Sequence, residues 1–509
     1  MSKGLTLTGH DLTLADLRGL EQAPTAASLA PAARQAMQAS VDTVRKVIET
    51  GQVCYGINTG FGALARERIS RDRLTQLQYN LVRSHACGVG EPLPAPVVRR
   101  VLLLKANSLA IGNSGIRPDV VDTLLALFNH DILPVIPSRG SVGASGDLAP
   151  LAHMTLALIG EGEALHQGQR LEGEAVLKAA GRTPVKLEAK EGLALLNGTQ
   201  VSAALALTGY YGCETALKSA IALGALTVEA LAGSYSPFDE RIHRARNMHG
   251  QMRVAEAFRA LLSGSEIWQS HQGCDRVQDP YALRCMPQVY GAAWDTFRHA
   301  SAVLERELNS VSDNPLIFGE DVLSGGNFHA EALAMISDFM AIAATELGNI
   351  AERRIDLLLR KVNPRLPMFL ARDPGLESGF MIAHVTAAAL ASENKTLAHP
   401  ASADSIPTSA GQEDHVSMAP WAGLKLLQIL DNLFRILAVE ALASAEAIDC
   451  QRPLKTTVAL ETVQGWIRRH VPAIQGDRRL DGDIARLAGL IGSRALLAET
   501  APGLLNQAL

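Results

Sequence analysis

Three long segments with an almost purely helical pattern dominate the second half of the chain and constrain its fold most strongly. Their spacing predicts helices over Tyr281 to Val311, His329 to Val362 and Trp421 to Ile448. In the last segment apolar residues cover most of the circumference, which is typical of a helix buried inside a bundle or between subunits. Hydrophobic residues make up 47% of the chain but aromatic residues only 4%, so alanine and leucine supply the core. The sequence therefore predicts a mainly α protein built on a long antiparallel helical bundle.

The domain organisation is predicted from changes in pattern along the 509 residues. No internal repeat, low-complexity tract or linker separates the chain into modules. The first hundred or so residues mix short elements, including a helix over Ser28 to Thr50, and Glu161 to Leu177 is a candidate β-hairpin around Gln167-Gly168. We expect a small mixed N-terminal domain over residues 1–112 and a central helical domain over residues 113–509.

Charge and cysteine content exclude several classes of function. The net charge is −5, from 47 basic and 52 acidic residues, without the basic patch that nucleic acid binding requires. The six cysteines form no CxxC pair, which favours reduced thiols over disulfides or a zinc site. The N-terminus has no apolar signal segment, and the uncharged run from Gly192 to Cys213 contains Asn197 to Gln200, which favours a buried helix over a membrane span. We expect a cytoplasmic protein without nucleic acid or membrane partners.

The stretch "SRGSVGASGDLAP" places small residues directly before a predicted helix over Asp147 to Gly160. A phosphate loop is excluded because GxxxxGK[ST] is absent, and a GxSxG nucleophile elbow does not match around Ser145. The residues alone favour a flexible loop that caps the helix. A reactive role for Ala144-Ser145-Gly146 is the alternative.

Four other stretches contain polar residues suited to a binding site, although each also has a structural explanation. "CYGINTGFG" surrounds Tyr55 with glycines, "SH" pairs Ser84 with His85, and "QEDH" concentrates polar residues that form either a solvated turn or a pocket wall. "QDPYALRC" spaces Gln278, Tyr281 and Arg284 along one helix face, where they form a surface patch or bind a carboxylate.

One further motif imitates a metal site. His329-Ala-Glu331 matches the HxE of zinc deaminases, but the PCxxC that completes such a site is absent. The sequence therefore predicts no metal.

Taken together in chain order, nine motifs resemble the aromatic amino acid ammonia-lyases over essentially the whole chain. They are YGINTGFG, SHACGVG, GSVGASGDLAPLAHM, EGLALLNGTQ, QDPYALRC, VSDNPL, SGGNFHAE, TAAALASENK and SIPTSAGQEDHVSM. The resemblance implies the helical fold of the ammonia-lyase/fumarase-like superfamily, a carbon–nitrogen lyase activity, and a homotetramer whose active sites are shared between subunits.

The resemblance also implies a cofactor made from the chain itself. Ala144-Ser145-Gly146 would cyclise to 4-methylidene-imidazol-5-one (MIO), and no external cofactor would be needed. The residue types suit this chemistry, because Gly146 offers an unhindered amide nitrogen to the Ala144 carbonyl and Ser145 loses its hydroxyl as water. An amide is a poor nucleophile, so the loop must be compressed to give an effective molarity of about 10⁵ M or more.

The reaction implied is elimination of ammonia from L-histidine to give trans-urocanate, the first step of histidine degradation. Tyr55 matches the family's base for the β-proton, with Tyr281 as the runner-up. Arg284 would clamp the substrate carboxylate, and Asn197 would bind the prosthetic ring or orient the amino group. The remaining residues that would line the pocket are Gln278 and Phe328.

Substrate choice depends on two residues in this resemblance. His85 and Glu413 would hold the imidazole, which both donates and accepts hydrogen bonds. Two positions depart from the pattern, since Gly411 stands where asparagine is common and His384 where glutamine is common. A tyrosine ammonia-lyase, or an aminomutase with the same cofactor, is therefore the alternative.

Overall fold

The structure is a computed structural model that describes residues 4–21, 25–272 and 277–505. Its α-helices are Leu14–Arg18, Pro31–Thr50, Leu74–His85, Ala95–Ala110, Pro118–Asn129, Leu148–Leu158, Glu174–Ala179, Glu191–Leu196, Gln200–Ala230, Glu240–Arg246, His249–Leu262, Glu266–Ser270, Tyr281–Arg284, Met286–Glu307, Glu331–Leu359, Met381–Leu397, Ala419–Asp449, Val458–His470, Asp481–Gly492, Ala495–Thr500 and Pro502–Leu505. Short 3₁₀ helices are Gly19–Glu21, Gly62–Leu64, Arg71–Arg73, Ser236–Phe238, Met368–Leu370 and Ser409–Gly411. The mainly helical fold predicted from the sequence is confirmed.

The strands are short and form small separate sheets. Leu5–Leu7 pairs in parallel with Ala27–Leu29, and Val89–Pro92 pairs antiparallel with Pro137–Arg139. The third sheet has the order Leu133–Pro134, Glu163–His166, Gln169–Glu172, and the fourth is a hairpin of Leu316–Phe318 and Asp321–Leu323. The hairpin predicted around Gln167-Gly168 is confirmed, and both residues take positive φ in its turn.

Contacts divide the chain into two compact units, each assembled from separate ranges. The first unit contains residues 1–208, 301–337 and 400–424, and the second contains residues 209–300, 338–399 and 425–509. Every strand of the described residues lies in the first unit, and the described part of the second unit is built from helices and loops. The domain boundary after residue 112 stays a prediction.

The long helices pack against one another in both parallel and antiparallel orientations. Gln200–Ala230 and Ala419–Asp449 run parallel, since Gly212 packs on Leu430 and Thr227 donates to the Glu440 carboxylate at 2.8 Å. Gln200–Ala230 and Met286–Glu307 run antiparallel, because Thr199 bonds Glu307 whereas Gly224 packs on Met286. The helical bundle therefore contains parallel as well as antiparallel neighbours. Short loops enforce antiparallel neighbours, but many residues separate these parallel helices along the chain.

Several predicted helix boundaries shift by a few residues. The segment Ser28 to Thr50 begins with strand residues and becomes helical only at Pro31, because proline suits the first helical turn. The segment predicted as one helix from Tyr281 is broken at Cys285 into Tyr281–Arg284 and Met286–Glu307. The other two long segments are helical over Glu331–Leu359 and Ala419–Asp449.

Among the described residues one helix, Glu331–Leu359, is long and apolar enough to cross a membrane, although 67% of its most apolar window is buried inside the protein. Burial of this kind is typical of a core helix, so length and composition here are weak evidence for a span. The described cysteines, Cys54, Cys87, Cys213, Cys285 and Cys450, are free thiols, and Cys274 lies outside the described residues.

Candidate active site

A cavity of about 550 Å³ in the first unit brings together residues that are far apart in the sequence. Six of the predicted site residues line it, namely Tyr55, Ala144, Ser145, Asn197, Phe328 and Glu413. Gln412, Asp414 and His415 line the same cavity and are exposed to solvent, so the "QEDH" cluster forms a solvated wall of this pocket. A larger cavity of about 740 Å³ in the second unit is mainly apolar and is lined by none of the predicted residues.

The turn that carries Ser145 is held against the chain at Gly198. Gly146 has a φ of +70° and pairs with Gly198 in an isolated parallel bridge. The next amide, that of Asp147, donates to the Gly198 carbonyl at 2.7 Å. A Cβ placed on Gly146 would lie 2.2 Å from this carbonyl oxygen, so only glycine fits. The backbone of the predicted cofactor segment is therefore both tightly confined and stereochemically unusual.

Asn197 binds the same turn from the side. It ends helix Glu191–Leu196, and its Nδ2 donates to the Ser145 carbonyl at 2.9 Å. Its own carbonyl accepts from Lys105 Nζ at 2.6 Å. Burial lowers the pKa of Lys105 to about 7, although the nearby Asp313 carboxylate opposes this effect. The Asn197 Oδ1 atom is buried and has no hydrogen-bond partner in the described part of the chain, so it is available to a ligand.

Asp147 does not cap the helix as the sequence suggested. It stands at the N-cap position of Leu148–Leu158, but its side chain makes no capping hydrogen bond. Its carboxylate instead accepts from the Ser202 amide at 2.7 Å, from Ser202 Oγ at 2.8 Å and from Ser141 Oγ at 3.1 Å. Burial raises the pKa of Asp147 despite these bonds. The side chain thus ties the turn to helix Gln200–Ala230 instead of stabilising its own helix.

Glu413 faces Ser145 across the cavity. Ser145 Oγ donates to Glu413 Oε1 at 2.9 Å, while Thr408 and Ser409 donate to Oε2 at 2.6 and 2.8 Å. Burial favours the neutral acid, but the hydrogen bonds outweigh it and lower the pKa of Glu413. The carboxylate is therefore held ionised and in a fixed orientation.

His85 ends helix Leu74–His85 in the same unit, outside the residues that line the cavity. Its Nδ1 lies 2.8 Å from the Leu81 carbonyl, so Nδ1 carries the proton and Nε2 is free to accept. Burial lowers the pKa of His85, and the Leu81 carbonyl and the charge of Glu413 act in the opposite direction. The neutral ring is the favoured form.

Tyr55 reaches the cavity from a glycine-rich turn. Its hydroxyl oxygen accepts from the Gly62 amide at 3.3 Å. Gly56 has a φ of +72°, and a Cβ placed there would lie 2.7 Å from a Leu193 methyl group. The glycines around Tyr55 therefore allow this turn to pack closely against the helix that ends at Asn197.

The three predicted site residues within "QDPYALRC" lie in the second unit and do not line this cavity. Gln278 and Arg284 line a separate cavity of about 320 Å³, and Tyr281 is 70% exposed. The Arg284 guanidinium stacks 4.6 Å from the Tyr281 ring centroid. Arg284 Nε is buried without a hydrogen-bond partner among the described residues.

Comparison with known proteins decides which family this geometry belongs to. Residues 12–469 match the family model described as aromatic amino acid lyase. The chain belongs to the aromatic amino acid lyase family. As a member of it, the protein is a carbon–nitrogen lyase of the ammonia-lyase class.

Individual relatives of this lyase cover nearly its whole length. It is 54% identical to the histidine ammonia-lyase of Burkholderia cenocepacia (strain HI2424) over 500 residues, which is 98% of each chain. Identity to the histidine ammonia-lyase of Burkholderia pseudomallei (strain 668) is 54% over 96% of this chain and 97% of the relative.

Two solved structures show the same fold. The crystal structure of histidine ammonia-lyase from Trypanosoma cruzi matches with a TM-score of 0.90 at 39% identity, over 100% of this chain and 98% of that one. Tyrosine aminomutase from Streptomyces globisporus matches with a TM-score of 0.93 at 35% identity, over 98% of this chain and 99% of that one.

Sequence reasoning missed several residues that build this candidate site. Thr408, Ser409 and Lys105 were not singled out, although they orient Glu413 and Asn197. An isolated lysine inside the apolar run "VLLLKANSLA" was the available signal, because a buried lysine needs a polar partner. No comparable signal marked Thr408 and Ser409.

Proposed function

We propose that this lyase eliminates ammonia from L-histidine and releases trans-urocanate. The observation that carries the proposal is the bond from Ser145 Oγ to the ionised Glu413, which places a carboxylate suited to an imidazole beside the predicted electrophile. The names of the relatives that are 54% identical over nearly the whole chain support the same substrate.

The residues of the turn fit the MIO group. Ring closure joins the Gly146 nitrogen to the Ala144 carbonyl carbon and, with loss of the Ser145 hydroxyl, releases two water molecules. The positive φ of Gly146 and its contact with Gly198 supply the compression that an amide nucleophile needs. When formed, the group supplies an electrophilic carbon that turns the substrate amine into a better leaving group.

Around that group the side chains of the first unit perform separate tasks. Asn197 Nδ2 donates to the Ser145 carbonyl oxygen and would stabilise negative charge that develops on that atom. Tyr55 would take the β-proton on its hydroxyl oxygen; the second candidate for this role, Tyr281, belongs to the second unit. Phe328 lines the cavity as an apolar wall.

Glu413 and His85 would select histidine. A fixed carboxylate accepts an imidazole N–H, and the His85 Nε2, free of its helix, offers a second polar contact. A site that hydrogen-bonds both ends of a ring rejects a substrate that leaves these groups unpaired. At the two departures from the pattern, the His384 ring bonds Glu352 at 2.7 Å in the second unit, and the Gly411 amide donates to the Thr408 carbonyl at 3.0 Å.

Gln278, Tyr281 and Arg284 would complete the site from a neighbouring subunit of a homotetramer. Arg284 is suited to the substrate carboxylate because its buried Nε has no partner in the described chain. We further propose that the enzyme works in the cytoplasm, where its free cysteines stay reduced.

Intact mass and product spectra test the proposal. The purified chain should be lighter than its encoded mass by two water molecules. Ser145→Ala has no hydroxyl to lose at this position, so this variant should lack the two-water mass difference and the activity. Histidine should give urocanate with a kcat/KM far above that for tyrosine. A full encoded mass would contradict the cofactor, whereas coumarate or a β-amino acid from tyrosine would favour the alternative lyase or aminomutase.

Complementation tests the shared site. Ser145→Ala chains and Arg284→Ala chains would each be inactive alone. Co-expressed in one cell they should regain part of the activity, because some sites in a mixed tetramer combine two intact halves. Absence of recovery in verified mixed oligomers would place both residues in the same subunit's site.

A further inference from the structure

Two histidines and a glutamate meet beside the active-site cavity, and the proposed reaction uses none of them. His329 and His415 line the cavity, and Glu331 begins helix Glu331–Leu359. One ligand atom from each residue lies within 4.8 Å of the other two. The HxE pair, which lacks the PCxxC of zinc deaminases, is thus joined by a histidine of the "QEDH" motif.

The two ring nitrogens already stand at the spacing of metal ligands. His415 Nδ1 and His329 Nε2 are 3.4 Å apart. Two nitrogens that bind one tetrahedral zinc ion at about 2.0–2.1 Å are separated by about 3.3–3.4 Å. The two nitrogens are also within hydrogen-bonding distance of each other, and His329 Nε2 lies 3.2 Å from the His415 carbonyl oxygen, so a zinc ion would replace these contacts.

The carboxylate of Glu331 is the group that most needs a partner. Its Oε2 atom is buried and makes no hydrogen bond to any described residue. A buried carboxylate oxygen without a donor is costly, and a cation would satisfy it. Glu413 and Asp414 line the same cavity and add negative charge near the ring pair.

We propose that His329, Glu331 and His415 form a binding site for a divalent transition-metal ion of the zinc class. Two imidazoles and one carboxylate favour Zn²⁺ over Mg²⁺ or Ca²⁺, which prefer oxygen ligands. The Glu331 carboxylate oxygen that lies within 4.8 Å of a nitrogen of each ring would move closer to bind the ion, and three protein ligands would leave a fourth position for water. An ion held here would connect the segment before helix Glu331–Leu359 to the loop that carries Glu413.

Direct zinc binding to the full-length enzyme tests the site independently of catalysis. Chelator-treated protein is titrated with ZnCl₂ by isothermal titration calorimetry, and the same titration is run on Glu331→Gln, His415→Gln and His10→Gln. We expect the first two variants to lose one equivalent of zinc per chain or to bind it at least tenfold more weakly. His10 is an exposed histidine outside the cavity lining, so His10→Gln should bind zinc as the parent does.

Two further measurements keep the result decisive. Circular dichroism and thermal unfolding verify that each variant is folded, and Glu331→Gln preserves side-chain volume for this purpose. Co²⁺ in place of Zn²⁺ should produce the strong visible absorption of a four-coordinate site, lost in Glu331→Gln. Zinc stoichiometry and affinity that are unchanged in both folded variants, or parent enzyme that binds no zinc, would overturn the proposal. Neither result bears on whether the enzyme deaminates histidine.

Discussion

The carbonyl oxygen of Gly198 occupies the space that a side chain on Gly146 would need, since a Cβ there would lie only 2.2 Å from this oxygen. The bridge between the two glycines aligns the turn that carries Ser145 with the junction at Asn197. This contact is what confines the predicted cofactor segment.

Gly146→Ala should therefore block ring formation. The added methyl group pushes Gly198 away and removes the compression that brings the nitrogen to the Ala144 carbonyl. We expect the full encoded mass and loss of ammonia release. Gly168→Ala is the matched control, because Gly168 also has a positive φ of +76° but nothing within 4 Å of an added Cβ. A Gly146→Ala chain that still lacks two water molecules would refute the role of this contact.

Glu413→Gln should weaken the use of histidine while leaving the fold intact. Hydrogen bonds to charged groups contribute about 1.5–3 kcal/mol, so kcat/KM should fall by about 10- to 100-fold. Steady-state kinetics with urocanate absorbance measure this change. Glu320→Gln, at a carboxylate that is 83% exposed and paired with Lys46, should leave the kinetics unchanged. Equal kinetics for both variants would remove Glu413 from substrate recognition.

Lys105 should make the stability of the enzyme depend on pH. Its pKa is about 7 in the folded chain because of burial and lies near its ordinary value of 10.5 when unfolded. Between these values the unfolded state binds more protons, so this residue's contribution to the free energy of unfolding rises with pH from about 7 to 10.5. Its destabilising effect is complete below pH 7 and absent above 10.5.

Lys105→Met should remove that dependence. The difference in melting temperature between parent and variant, measured from pH 6.5 to 10.5, should move in favour of the parent as pH rises. The exposed Lys46→Met serves as control, since Lys46 is 60% exposed. A melting-temperature difference that is constant across this pH range would contradict the lowered pKa of Lys105. The variant should also lose activity, because Lys105 holds the Asn197 carbonyl at 2.6 Å.

The second unit contains an ion pair that should be costly to break. Arg354 and Glu440 are both fully buried and bond at 2.6 and 2.8 Å. Glu440→Gln leaves a buried guanidinium without its counter-charge, so the free energy of unfolding should fall by about 3–5 kcal/mol. Denaturant unfolding measures the loss.

The double replacement Arg354→Met with Glu440→Leu provides the comparison for that loss. Removing both charges leaves no buried charge unpaired, so this variant should be more stable than Glu440→Gln alone. A double variant at least as unstable as the single one would show that packing, and not the unpaired charge, dominates at this site.

Local patterns in the sequence determined the helices and nominated the segment that is predicted to be reactive. Apolar spacing predicted Glu331–Leu359 and Ala419–Asp449 to within a few residues, because a helix buried on most sides carries its own signal. Ordered motifs identified the family and nominated Ser145, Asn197 and Glu413. These conclusions need only residue types and their order.

Tertiary structure alone decided which of these residues meet and how they are held. Ser145 and Glu413 are 268 positions apart, and Asn197 and Lys105 are 92 apart, so no local pattern reports their hydrogen bonds. The same is true of His415, which joins His329 across 86 residues. At Asp147 the local pattern was misleading. Its position suggested a helix cap, but its carboxylate accepts hydrogen bonds from Ser202 instead of capping its own helix. Long-range contacts override local preference wherever a buried polar group must find its partner from another part of the chain.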